Sequence, residues 1–135
     1  MLTVIESPYA GDVEGNLTYL RACLKDCVER GESPYASHGL LTQPGVLDDA
    51  DPEQRWMGIL RGRGWMAVAQ QVAFYVDRGV SEGMEDAIFD CRSDGRRLVA
   101  RSLRSHVEVA VTCHADLQRA SLMFASGTVP TRDEG

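Results

Sequence analysis

The sequence predicts an α/β domain, with a parallel sheet and helices on both of its faces. Short apolar runs alternate with amphipathic segments, and turn residues such as Pro8 with Gly11, Asp51 with Pro52 and Asp77 with Gly79 punctuate them. Strands separated by helices are joined by crossovers, and crossovers imply parallel pairing. The run over residues 72–76 is apolar without a break, as suits a central strand covered on both sides.

Taken in order, residues 2–5 form a buried first strand, stopped by Pro8 and Gly11. From 12 to 30, Leu17, Leu20, Leu24, Cys27 and Val28 recur at helical steps, with Asp12 as N-cap and Gly31 just past the end. Residues 33–37 form a brief second strand, placed at an edge because Pro34 has no N–H to donate. The stretch 39–51, rich in Gly, Pro and Asp, is long for a connection, as functional loops are. A helix over 52–68 follows, capped by Asp51 with Pro52 in its first turn. Gly58, Gly62 and Gly64 each weaken it by about 1 kcal/mol relative to Ala, which close packing must offset. Then come the strand at 72–76, a helix over 81–92 and a fourth strand over 97–103. Ser105-His106-Val107-Glu108 has the pattern of a capping box and opens a helix to about residue 125. The alternating valines of 107–112 offer a strand as the competing reading. The expected organisation is a core over 1–104, a C-terminal helix within 105–127 packing on the core or an oligomer partner, and a disordered tail over 128–135.

At 135 residues the chain is long enough for one hydrophobic core, and its 44% hydrophobic content is that of a folded, water-soluble protein. A net charge of -6 argues against nucleic acid or an anionic membrane as partner. The arginines gather locally, at Arg61 and Arg63 and at Arg96, Arg97, Arg101 and Arg104, which leaves a phosphate contact open. The start has no basic n-region, and no apolar stretch reaches the length of about 18 residues that a membrane span needs. Four cysteines without regular spacing point to a reducing, cytoplasmic setting. No cofactor motif is present.

In a parallel sheet, ligands bind beyond the carboxyl ends of the strands. Those ends supply Glu6, Ser7, Pro8, Tyr9, Gly11 and Asp12 after the first strand, His38 after the second, and Asp77, Ser81, Gly83 and Met84 after the third. The helices that start at Asp12 and Ser81 direct free N–H groups into the same region. His38 with Asp48, Asp49 and Asp51 has no metal-ligand spacing, so no metal site is expected. Cys23, Cys27 and Cys113 read as structural.

Three segments, V-I-E-S-P-Y-A-G-D at 4–12, Asp48-Asp49-x-Asp51-Pro52-Glu53, and G-V-S-E-G-M at 79–84, resemble the nucleoside 2-deoxyribosyltransferase-like superfamily. They look most like its small branch in bacteriophages and actinobacteria, over residues 2–103. The resemblance implies a three-layer, flavodoxin-like parallel sheet of about four strands. It also implies cleavage or exchange of the N-glycosidic bond of a nucleoside or nucleotide, with the first-strand loop bordering sugar and base. In the nucleotide-cleaving branch the Ser and Gly of an S-x-G loop hold a 5′-phosphate, which maps to Ser81 and Gly83. A glutamate four residues beyond that Gly attacks the anomeric carbon, and here that position is Ala87. Glu6 and Asp86 are the carboxylates that could replace it. Arg61 and Arg63 stand where many relatives carry an acid.

Two functions follow from this scaffold: an N-glycosidase or deoxyribosyltransferase working through Glu6 or Asp86, or a non-catalytic nucleotide binder such as a phage protein sequestering a signalling nucleotide. A third reading is an interaction module whose C-terminal helix drives homo-oligomer formation.

Overall fold

The computed structural model describes residues 1–127; the tail over 128–135, expected to be disordered, lies outside them. The chain forms β1 (Leu2–Glu6), α1 (Val13–Glu29), β2 (Ser33–Tyr35), α2 (Ser37–Leu40), α3 (Pro52–Val68), β3 (Gln71–Tyr75), α4 (Glu82–Cys91), β4 (Arg97–Ser102), β5 (Val107–Ala110) and α5 (His114–Ala125). The strands form one sheet in the order β2-β1-β3-β4-β5. That order is flavodoxin-like. The β1, β2, β3 and β4 pairings are parallel, as the alternation of elements requires.

The unbroken apolar run lies where expected, one residue earlier than its predicted bounds: β3 is flanked by β1 and β4 and wholly buried. Val72 and Phe74 face one core with Val4, Leu98 and Ala100, against α4, α5 and Met66 of α3. Ala73 and Tyr75 face the other, with Ile5 and Val99, against α1. Asp12 caps α1 by accepting from the Gly15 N–H at 3.1 Å, and Gly31 follows at φ 79°. The buried stripe of α1 runs through Leu20, Cys23 and Cys27; Val28, expected on it, is 61% exposed. It sits one residue past Cys27, which turns it about 100° off that face.

The C-terminal segment corrects the sequence reading. The helix expected from Ser105 begins at His114, and residues 107–110 form the fifth strand, antiparallel to β4. A helix nucleus is broken at His106, which lies at φ 52°, and the Ser105 N–H bonds back to the Ser102 hydroxyl at 3.1 Å. The hairpin thus satisfies the free edge of β4 and places Val107 and Val109 against the core. Reversing the last strand returns α5 to the side of α4, where Leu117, Ala120 and Phe124 are buried.

On the opposite side, α1 packs beside the short helix α2. There the sheet is closed by a polar cluster around Arg101, which is 1% exposed. Its guanidinium donates to Glu32 at 2.7 and 2.6 Å, to Glu108 at 2.8 Å and to the Tyr75 hydroxyl at 3.1 Å. Tyr75 in turn donates to Asp26 at 2.7 Å. Gln71 donates to Thr3 at 2.8 Å, joining β1 to the same network.

Of the three glycines of α3, two have the close neighbour their helix weakening demands. A Cβ at Gly62 would meet Ser37 Oγ at 3.2 Å and one at Gly58 would meet Leu47 at 3.4 Å, while Gly64 faces open space.

Candidate functional site

A cleft of about 520 Å³ opens beyond the carboxyl ends of β1 and β3, where the strand order reverses direction. Glu6, the last residue of β1, forms its floor; Tyr9 and His38 form one wall, α3 a second and the first turns of α4 a third. The Tyr9 and His38 rings pack with centroids 4.9 Å apart. Burial holds His38 below the usual histidine value, with Asp49 and the Ser7 backbone pulling the other way, so the imidazole is neutral at neutral pH.

Glu6 is half-buried, and its carboxyl has no hydrogen-bond partner among the described residues. Burial pushes it up to about 7, opposed by the charge of Arg63. A carboxyl that titrates near neutrality can act as proton acceptor or donor there, and its ionised form is a nucleophile.

The loop after β1 is held by a residue the sequence reading passed over. Asn16 on α1 is buried, and its amide donates to the carbonyls of Tyr9 at 3.0 Å and Ala10 at 3.2 Å. Its oxygen accepts from Arg78 Nε at 2.8 Å, and Arg78 also reaches Asp12 at 3.2 Å. Gly11, at φ 92°, allows the turn that brings the two carbonyls over Asn16. Asn16→Ala is expected to lower stability by about 1–2 kcal/mol, since it removes the buried amide that holds the Tyr9 and Ala10 carbonyls and Arg78. Amide exchange across residues 9–12 should rise at the same time; unchanged exchange would mean that other contacts fix the loop.

On α4, Ser81 is the N-cap, accepting from the Met84 N–H at 3.3 Å. Gly83 and Asp86, three residues apart, face the cleft, and Asp90 continues the same face. Ala87 does not face it: the residue is fully buried in the core with Met84 and Ile88. Glu85 is drawn away toward α5, 2.9 Å from His114 and 3.0 Å from Gln118.

The cleft therefore brings together Glu6, Tyr9, His38, Ser81, Gly83 and Asp86 from the residues singled out in sequence. Ser7, Pro8, Gly11, Asp12 and Met84 support it from outside its walls. Asp77 also stands outside. It accepts from Tyr19 at 2.5 Å, Ser102 at 2.6 Å, and the Leu103 and Arg104 N–H groups at 2.9 and 3.2 Å. Burial raises this carboxyl, but these bonds outweigh it and hold Asp77 below its usual range. Its work is to tie the ends of β3 and β4 together.

The α3 wall was missed. Trp56, Ile59 and Arg63 recur at helical spacing along the cleft, and Trp56 and Leu60 remain 58% and 46% exposed. The apolar periodicity was visible in sequence, but it marks a cleft wall here and not a core face. Five of the six clustered arginines are spent on carboxylates: Arg63 on Asp90, Arg96 on Asp94, Arg97 on Glu108, Arg101 on Glu32 and Arg104 on Asp77. Asp51 caps α3 through Glu53 at 3.0 Å, and Asp48 accepts from Ala50 at 3.0 Å. Among the described residues no three His, Cys, Asp or Glu side chains converge as a metal site would need, and no helix is long and apolar enough to cross a membrane.

The family model for a domain of unknown function, DUF7768, matches residues 1–101. No curated protein matches the chain. Among solved structures, a 2-deoxyribosyltransferase from the psychrotolerant bacterium Bacillus psychrosaccharolyticus is similar, with a TM-score of 0.52 and 12% sequence identity. The similarity covers 76% of this chain and 72% of that one, and at that identity it is a likeness of fold.

Proposed function

We propose that this chain, which belongs to the family described as Domain of unknown function (DUF7768), binds a nucleoside in the cleft over Glu6 and acts on its N-glycosidic bond. The observation that carries the reading is the unpartnered Glu6 carboxyl on the cleft floor, beside the Tyr9–His38 pair and below the apolar side of α3. The sheet that presents it has the fold of a deoxyribosyltransferase. A planar base fits against Trp56 and Ile59, where stacking and apolar burial favour it. The sugar then lies toward Glu6 and Asp86, whose oxygens accept from its hydroxyls. Ionised Glu6 can attack the anomeric carbon as the C–N bond breaks and the base departs with a proton from water, the glycosyl ester then passing to water or a second base. Alternatively it takes a proton from the water that attacks as the base leaves, a general-base role typically worth about 10²–10⁴ in rate.

The charge of the cleft favours a nucleoside over its 5′-phosphate. Five carboxylates line it against the guanidiniums of Arg55 and Arg63, and Arg63 is already paired. In the first turn of α4, Glu82 and Glu85 already compensate the positive end of the helix that a phosphate would use, and Asp86 adds a further negative charge on the cleft side.

Incubation with a panel of nucleosides and their 5′-monophosphates, followed by chromatography for free base, tests the reading. Base released from a nucleoside, and lost in Glu6→Gln, is the expected result. A second reading is favoured by the burial of Ala87, which leaves the wall at α4 without the glutamate that the resemblance implies. In that case a nucleoside raises the melting temperature and is recovered intact after denaturation. No stabilisation and no released base across the panel would reject both.

A further inference from the structure

Arg63 is the fixed point of the α3 wall. The turn that carries it is seated by three features: Gly62, where an added Cβ would come within 3.2 Å of Ser37 Oγ, Met66 in the core, and Trp65 stacked on Tyr35 with centroids 4.8 Å apart. Its Nε donates to Asp90 of α4 at 2.8 Å across the cleft, while its side chain remains only 24% exposed. One donor is thereby used, and a guanidinium has four more. Arg61, two residues earlier, is exposed and unpaired among the described residues, so the sequence position alone does not make the site.

We propose that Arg63 is the positioning residue of the cleft, anchored by Asp90 and acting as the counter-charge that keeps Glu6 available as a carboxylate. The proposal rests on the nucleoside reading of this cleft for its purpose, but its electrostatics concern the empty protein. The groups that face the floor are Tyr9 of the loop after β1, His38 of α2, Asp49 of the following loop, Arg55 and Arg63 of α3, and Glu82, Asp86 and Asp90 of α4, with the buried Cys91 thiol behind. His38 is held neutral by burial, Arg55 is exposed at the rim, and the remaining groups are acids, the Tyr9 phenol or a thiol pushed up to about 11. Arg63 is therefore the cation that opposes the burial of Glu6. Asp90 draws on the same guanidinium, so the pair divides one positive charge between holding α3 to α4 and supporting Glu6.

Carbon-13 NMR titration of glutamate-labelled, ligand-free protein tests this, with the Glu6 signal assigned by its loss in Glu6→Gln. Arg63→Met is expected to move the Glu6 midpoint upward by about one pH unit, a tenfold gain in proton affinity, while Arg63→Lys stays near the parent. If the Met variant does not fold, Arg63→Gln serves the same comparison. A neutral variant that folds and titrates at the parent midpoint would overturn the proposal. Because no ligand is present, failure of the nucleoside reading leaves this result standing, and the converse holds as well.

Discussion

Arg101→Met is expected to destabilise the fold by about 2–4 kcal/mol, measured by urea denaturation, because it leaves two partly buried carboxylates without the buried cation they share. Glu32 and Glu108 both pair with Arg101, and Tyr75 accepts from it. Arg101→Lys keeps the charge but loses the planar fork that serves Glu32 at two atoms, so it should fall between parent and Met variant. Neutralising the acids together with the arginine should recover much of the loss, since the penalty comes from stranded charge. A change below about 1 kcal/mol in Arg101→Met would show that water enters the cluster freely. Burial raises the Glu32 carboxyl, yet its bonds to Arg101 and Gln71 outweigh this and lower it. Its contribution is therefore present above the ordinary glutamate value and is lost as pH falls through the lowered one. Acid unfolding should begin there and should be blunted in Glu32→Gln.

Glu6 has the opposite pH dependence. Its carboxyl is raised from 4.5 to about 7, mainly by burial, so the folded state holds a proton that the unfolded chain has lost across that window. Stability is fully present below 4.5 and declines as pH rises through about 7. Glu6→Gln removes the decline. The variant should match the parent near pH 4.5 and exceed it by about 1–3 kcal/mol at pH 8, the range allowing for solvent at the cleft mouth. Thermal melts at the two pH values check it, and a constant difference between them would refute the assignment. The same substitution abolishes base release under the proposed function. A gain in stability with a loss of activity is the mark of a strained functional group.

The parallel sheet, its central strand and the caps at Asp12, Asp51 and Ser81 were legible because each rests on local chemistry: apolar runs, side-chain acceptors and turn residues. The fifth strand was not, because Ser105 to Glu108 satisfies a helix-cap pattern while the valines satisfy a strand. Tertiary pairing to β4 and the turn at His106 decide between them. Arg101 and Asn16 escaped for a related reason. Both residue types usually sit at surfaces, and only long-range partners such as Glu32 for Arg101, and Arg78 for Asn16, make them interior. In the cleft, Glu6 could be placed from the end of its strand. Arg63 could not, since nothing local says that α3 faces Asp90.

The return of α5 to the side of α4 separates two boundaries that usually coincide. Kinship, as the family match draws it, stops at residue 101, inside β4. Foldability extends further, because Leu117 and Phe124 fill the core over β4 and α4, and fully burying such side chains gains about 1.5–3 kcal/mol each. A protein cut at the limit of the shared segment would expose that apolar face. Any relative that keeps only the shared segment needs another cover for it, from its own chain or from a second one. The matched segment is thus shorter than the stretch of chain that covers the core it contributes to.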